Sequence, residues 1–406
     1  MIKFLLKWLA IILIGLPLSL YIVLALINLT GDEEKSSLVL EFEKHIAKKS
    51  DLNNTENAYI YMMGITAKPS DNFYERGVER VQKRLSILNQ SPHNDEPTFT
   101  DYIEISSFES RLETLLTDTK CNLDQPLNTQ CQTHLIESEK EITDLLSDAE
   151  LLLHRYNLIK QKTDWYEILP EYSRFVTGLT YKNFSTLHRL SMLSIWQHSR
   201  NNDADIELLI EKEGKFLRNF SKSSNLLISK VIATELIEEF FNWSHLLLSI
   251  DNGKPLDVAQ IKSLYLPFAD EESGFNEVMI GEWHFIKGFY KQIEHDEIPL
   301  QYRWLRPLIQ FQATINLHAK YNKIIFSFKS ETTKKDIIDD CIDNNLINLI
   351  QLTYNPIGKL FSCTNLISAD IYRKGAEEIE IKRSQLIEAI GHPIKSPLNN
   401  KDSSLK

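Results

Sequence analysis

The sequence predicts an all-α protein: a single N-terminal transmembrane helix followed by a large helical extracytoplasmic domain, arranged as a bundle or an irregular helical array. Three observations carry this. From Trp8 through Gly31 the chain runs WLAIILIGLPLSLYIVLALINLTG without a charged residue. Glycine is scarce, at 13 of 406 residues, so long stretches lack the turn punctuation that strand-rich chains need. Within those stretches apolar residues recur three or four positions apart, the repeat of one helix face.

The apolar run is long enough to cross roughly 30 Å of hydrocarbon as a helix. Lys3 and Lys7 precede it, while Asp32, Glu33 and Glu34 follow. Cytoplasmic flanks collect lysine, so residues 1–31 read as a short cytoplasmic N-terminus plus an anchor held in the membrane from Trp8 to Leu29. A cleaved signal peptide has a shorter apolar core and a small-residue exit; VLALINLTGDEE offers none, and the anchor is expected to stay. Pro17 is tolerated where neighbouring groups satisfy the freed carbonyl. Glycosylation triplets fall at Asn53, Asn89, Asn183, Asn219 and Asn242, the last three inside helical patterns rather than in loops, where glycans are accepted. The expected location is therefore a bacterial inner membrane, with the N-terminus inside and the domain in the periplasm.

About 375 residues follow the anchor, enough for one large domain or two ordinary ones. Helices are expected over about 36–49, 55–66, 70–90, 107–118, 132–161, 163–176 and 181–200, then over 204–250 with a break near Ser221–Ser224. Further helices are expected over about 256–265, 272–295, 307–328, 334–352 and 365–390. Ala233, Leu236, Phe240, Trp243, Leu247 and Ile250 lie on one stripe, widened by Leu226, Leu227, Val231, Ile232 and Ile237, which places this helix at the centre of the core. Loops are expected at 89–101, 120–131, 250–255 and 295–307, where Pro, Gly, Asn and Asp cluster. The DNGKP stretch divides a helical domain, 32–250, from a C-terminal helical subdomain, 251–392. Residues 393–406, rich in proline and polar side chains, are expected to be a disordered tail. No solenoid repeat is visible in the spacing.

Four cysteines, Cys121, Cys131, Cys341 and Cys363, all lie beyond the anchor, in a compartment that permits disulfides. Cys121 and Cys131 bracket the polar loop NLDQPLNTQ and are the favoured pair among the three connectivities four cysteines allow. Cys363 closes the stretch YNPIGKLFSC, and Cys341 precedes it. A straight antiparallel hairpin turning at Pro356 would hold them about 13 Å apart, beyond the roughly 7 Å that a disulfide bridges. Their pairing requires a helix ending nearer Leu352 and a wide TYNPIGK loop. The other reading of this stretch has Lys359 contacting an anion at a helix N-terminus, although the rest of a phosphate-binding loop is missing.

A net charge of −11 argues against a nucleic-acid partner, which would need a basic field. The G-x-S-x-G, H-E-x-x-H, G-x-x-x-x-G-K-[ST] and G-x-G-x-x-G patterns are missing. Asp203 and Asp205 form a D-x-D, but glycosyltransferases that use one need an α/β fold, and acidic residues at a helix start suit its dipole. Glu109 precedes a serine, as in lytic transglycosylases, without the Gly-Leu-Met-Gln segment that accompanies it there. Glu282, His284, Glu294, His295, Asp296 and Glu297 are the densest set of possible metal ligands, but their spacing does not converge them on one point. Neither a metal nor another cofactor is expected. Tyr302, Arg303, Trp304 and Arg306 in QYRWLRP have the composition of protein-interface anchors.

The expected function is that of an envelope scaffold, assembly or accessory factor that binds another envelope protein, without catalysis. Two alternatives are an enzyme acting on peptidoglycan or lipid through Glu109 or a convergence of acids and histidines not visible in the spacing, and a membrane-tethered immunity-type inhibitor, which would present an acidic concave face.

Overall fold

The computed structural model describes Phe4, Trp8 and residues 11–29, 31–90, 95, 97–116, 119–172, 181–201, 206–249, 266–267, 274–295, 300–327, 353–364 and 370–391. Every regular element among them is helical. A π-helical turn, Ile11–Gly15, leads into α1 (Leu16–Asn28), and Pro17 sits in the first turn of α1, where no amide donor is needed. Ile11–Asn28 is long and apolar enough to cross a membrane, with a mean hydropathy of 2.4 and only 6% of it covered by protein. Five helices follow: α2 (Ser37–Lys49), α3 (Ala58–Met63), α4 (Phe73–Leu88), α5 (Ser106–Leu115) and α6 (Thr129–Glu137). Next come α7 (Glu139–Asp148), α8 (Glu150–Ile159), α9 (Tyr181–Asn201), α10 (Ile206–Ser223) and α11 (Leu227–Ser249). The last described elements are α12 (Asn276–His295), a 3₁₀ segment (Leu300–Leu308), α13 (Phe311–Ser327), α14 (Pro356–Thr364) and α15 (Asp370–Gly391).

Among the described residues, buried apolar side chains form two clusters. The larger is built from α3 to α11 and receives Ile379 and Leu386 of α15. The smaller joins Val39 and Phe42 of α2 to Trp283 of α12 and Ile315 of α13. Each therefore draws on both sides of residue 250. Helix α11 serves both: Ala233, Leu236, Phe240, Trp243 and Leu247 are buried in the larger cluster, while Leu227 and Val231 pack on the smaller.

Local chemistry explains the starts. Ser36 caps α2, Asn57 caps α3, Asn72 caps α4 and Asn128 caps α6, each accepting from backbone amides of the first turn. Helices α3 and α4 meet backbone to backbone. A methyl on Gly64 would overlap the Phe73 carbonyl, and one on Gly77 would overlap the Ile60 carbonyl, so only glycine permits this approach.

The expected break at Ser221–Ser224 is present, between α10 and α11. Three expectations are corrected. Residues 132–161 form three helices, interrupted at Ser138 and Ala149. The described part of 163–176 is not helical but extended, with a parallel bridge between Asn57 and Asp164. Its reason is tertiary. The Asn57 side chain accepts from the Tyr166 amide at 3.0 Å and donates to the Tyr166 carbonyl at 2.8 Å. Asn225 does the same for Glu167, at 2.8 and 3.0 Å. Two asparagines thus replace the rungs of a sheet. The third correction is that Pro356 begins α14 rather than lying within a wide loop. Asn355 takes φ +51° just before it, a value asparagine tolerates, and proline suits the first helical turn. Expected helices 256–265 and 334–352, the 250–255 loop and the tail 393–406 lie outside the described residues.

Cys121 and Cys131 form a disulfide with Cα atoms 4.7 Å apart. Asn242 of α11 pins this loop by donating to the Leu123 carbonyl at 2.7 Å, and it is buried. Replacing both cysteines by serine is expected to lower stability by about 3 kcal/mol, the loop-closure value for a ring of this size. Urea denaturation of wild-type and variant, with and without reductant, measures it.

Candidate functional site

A cleft of about 370 Å³ opens where the two clusters meet, between α2, α4, α12 and the extended segment, lined among others by Glu43, Glu171, His284, Lys287 and Lys291. The α12 residues lie three, four and seven positions apart, and so share one helix face. Lys287 Nζ lies 2.6 Å from Glu43 Oε1, and Lys35 Nζ lies 2.9 Å from Glu43 Oε2. Lys291 pairs with Glu171, whose amide donates to Asn89 Oδ1 at 2.6 Å. Burial acts to raise the Glu43 carboxyl, but Lys287 and Lys35 together hold it below its ordinary value. His284 bonds the Leu169 backbone while its Nδ1 is buried without a partner. Burial, with Lys287 and Lys291 adding to it, takes His284 down to about 4, so the imidazole is neutral at pH 7. The cleft therefore presents two lysine–glutamate pairs around a neutral imidazole. Charges on an incoming polar segment can exchange with these internal pairs.

Behind the cleft lie two buried carboxyls. Glu167 Oε1 accepts from Tyr181 at 3.0 Å and from Ser229, while Glu282 Oε1 accepts the Leu227 amide at 2.7 Å and so caps α11. Burial pushes both up to about 7, Glu282 with a further contribution from Glu167. From pH 4.5, the ordinary value, to pH 7, unfolding releases a proton from each. Stability therefore falls as pH rises through that window and levels off above it. Glu282→Gln keeps an acceptor for Leu227 and removes the titration. It is expected to leave stability nearly unchanged near pH 4.5 and to raise it by about 3 kcal/mol at pH 8, read from denaturation midpoints at the two pH values.

The residues singled out in the sequence are scattered. Glu282 caps a helix and His284 faces the cleft, so the two do not converge. Glu109 pairs with Lys182 at the surface. Asp203, Asp205, Asp296, Glu297 and Cys341 lie outside the described residues. Cys363 belongs to α14, His295 ends α12 and Tyr302 belongs to the 3₁₀ segment. Lys359 is held within the second turn of α14, its amide donating to the Asn355 carbonyl at 2.9 Å. Arg303 and Trp304 are exposed on the 3₁₀ segment. Arg306 donates to the Glu294 carbonyl at 3.0 Å and lies over the Phe311 ring. Trp304 meets the apolar helix, its carbonyl accepting from the Tyr21 hydroxyl at 2.9 Å, with ring centroids 6.1 Å apart.

A polar lock joins α1 to the domain. Asn28 donates to the Thr353 carbonyl at 2.9 Å and accepts the Asn355 amide at 2.6 Å, while Gln310 donates to the Asn28 carbonyl. Asn355 Oδ1 in turn accepts the Gln310 amide at 2.9 Å, and Asn355 Nδ2 donates to Thr314 at 3.0 Å. A methyl at Gly358 would collide with both Thr314 and Asn355, which explains the glycine of YNPIGK. Sequence reasoning missed the lock because Asn28 is more than 280 residues from each of its partners in the domain. An asparagine closing an apolar run was the available signal.

The chain matches no protein-family model, no curated protein and no solved structure.

Proposed function

We propose that this is a single-pass protein of a bacterial inner membrane, N-terminus inside, whose periplasmic helical domain is a scaffold, assembly or accessory factor for another envelope protein. The observation that carries the reading is the Asn28 lock, which seats the domain directly on the end of the apolar helix. A domain seated in this way holds its cleft at a constant height and orientation above the bilayer. A membrane-bound partner then loses less orientational freedom on binding than it would to a domain on a flexible tether. The Glu43–Lys287 and Glu171–Lys291 pairs supply the polar surface for such a partner.

In-cell cross-linking followed by affinity capture, with residues 1–36 expressed alone as control, tests the partner. Recovery of one envelope protein, lost on Lys287→Glu with Lys291→Glu, is the expected result. Recovery of nothing beyond the control overturns it. Topology is read separately from a C-terminal alkaline phosphatase fusion, expected to be active, and a C-terminal green fluorescent protein fusion, expected to be dark.

A further inference from the structure

Tyr21 stands seven residues before Asn28, so it lies about 10 Å along the helix from the polar lock, towards Trp8. The 3₁₀ segment Leu300–Leu308 reaches this level, because Trp304 meets Tyr21 by both a hydrogen bond and a ring contact. The domain therefore does not stop at the end of the apolar helix but extends down its flank. At that level Trp304 remains 55% exposed, and Leu18, Leu20 and Ile22 of the neighbouring helix are similarly uncovered. Arg306 is drawn back onto the Glu294 carbonyl and the Phe311 ring, leaving the indole as the projecting group. Indoles partition to the boundary between headgroups and acyl chains, where one edge is wet and the ring is apolar.

We propose that Leu300–Leu308 is a membrane-docking wedge, with Trp304 seated just beneath the headgroups of the outer leaflet, against the upper acyl segments beside α1. The occupant of this surface is lipid, and the protein-interface composition of QYRWLRP reflects an aromatic and arginine pair suited to a bilayer surface. The inference rests on the reading of α1 as a spanning helix. The wedge and α1 give the domain two points of attachment, which fixes its tilt as well as its height.

Tryptophan fluorescence separates the two ideas. Of the six tryptophans, Trp165, Trp196, Trp243 and Trp283 are at most 1% exposed, whereas Trp8 and Trp304 are open. Full-length protein is reconstituted in phosphatidylcholine–phosphatidylglycerol vesicles whose acyl chains carry bromine either near the glycerol or near the chain end. Trp8→Phe, which leaves Trp304 as the open indole, is expected to retain quenching, stronger with bromine near the glycerol. Trp304→Phe is expected to retain quenching from Trp8, and the double variant to lose lipid-dependent quenching altogether. Quenching in Trp304→Phe but not in Trp8→Phe overturns the wedge, leaving Trp304 to water or a protein partner, while the spanning reading stands. No quenching in either overturns both.

Discussion

Replacing Glu213 by alanine is expected to destabilise the domain by about 3–5 kcal/mol, the cost of leaving one member of a buried ion pair alone. Its carboxylate is fully buried between α8, α9 and α10. Oε1 accepts from Tyr156 at 3.0 Å and lies 2.8 Å from His188 Nδ1. Oε2 accepts from Lys160 and Ser191, both at 2.8 Å. Truncation strands the Lys160 ammonium, whose side chain is only 6% exposed. Burial would raise the Glu213 carboxyl, but Lys160 and His188 outweigh it and hold it well below the ordinary carboxylate range. Its contribution is present above the unfolded value and is lost as pH falls towards the folded one. Glu213→Ala should therefore show a shallower loss of stability on acidification than wild-type. Lys160→Met combined with Glu213→Gln removes both charges and should recover much of the loss. Denaturation of all three proteins from pH 3 to pH 7 provides the comparison.

Arg155→Ala is expected to cost about 4 kcal/mol, because charge-assisted bonds are worth roughly 1.5–3 kcal/mol each and orphaned carbonyls add their own penalty. Arg155 is 3% exposed, and its guanidinium gathers the carbonyls of Ile65 at 2.7 Å, Ala67 at 2.5 Å and Lys68 at 2.7 Å. The Lys68 carbonyl also accepts the Asp71 amide at 3.0 Å, so the guanidinium matters most to the Ile65 and Ala67 carbonyls as the chain leaves α3 on its way to α4. Arg155→Lys should recover little, since an ammonium cannot reproduce the planar fork. Denaturation midpoints of both variants are the test, with proteolysis between Ile65 and Asn72 as a local readout.

How much of this was legible depends on the range of the interaction. The α11 stripe could be read because its spacing is local and its burial follows from that spacing. The helix break at Ser221–Ser224 and the Cys121–Cys131 pair are likewise local. The extended course of 163–172 could not be read, because the groups that hold it, Asn57 and Asn225, are each more than 50 residues away. The Glu213 network left a faint trace. His188 and Ser191, three apart, sit among Leu187, Leu190, Met192 and Leu193, and polar residues on so apolar a face need partners. For the cleft, Lys287 and Lys291 carried no signal, since surface lysines at helical spacing are ordinary. Trp304 stands out by composition, but its neighbour Tyr21 is 283 residues distant.

The smaller apolar cluster takes Val39 and Phe42 from near the start of the chain, and, apart from the partly buried Leu227 and Val231 on its margin, its next described buried member is Phe275. At 5–20 residues per second, synthesis puts about 10–50 s between them. Throughout that interval the apolar face of α2 has been made but its core has not, so it stays open to chaperones, to the bilayer or to other copies of the chain. The α2 segment, among the earliest parts of the domain to be made, is one of the last to be enclosed.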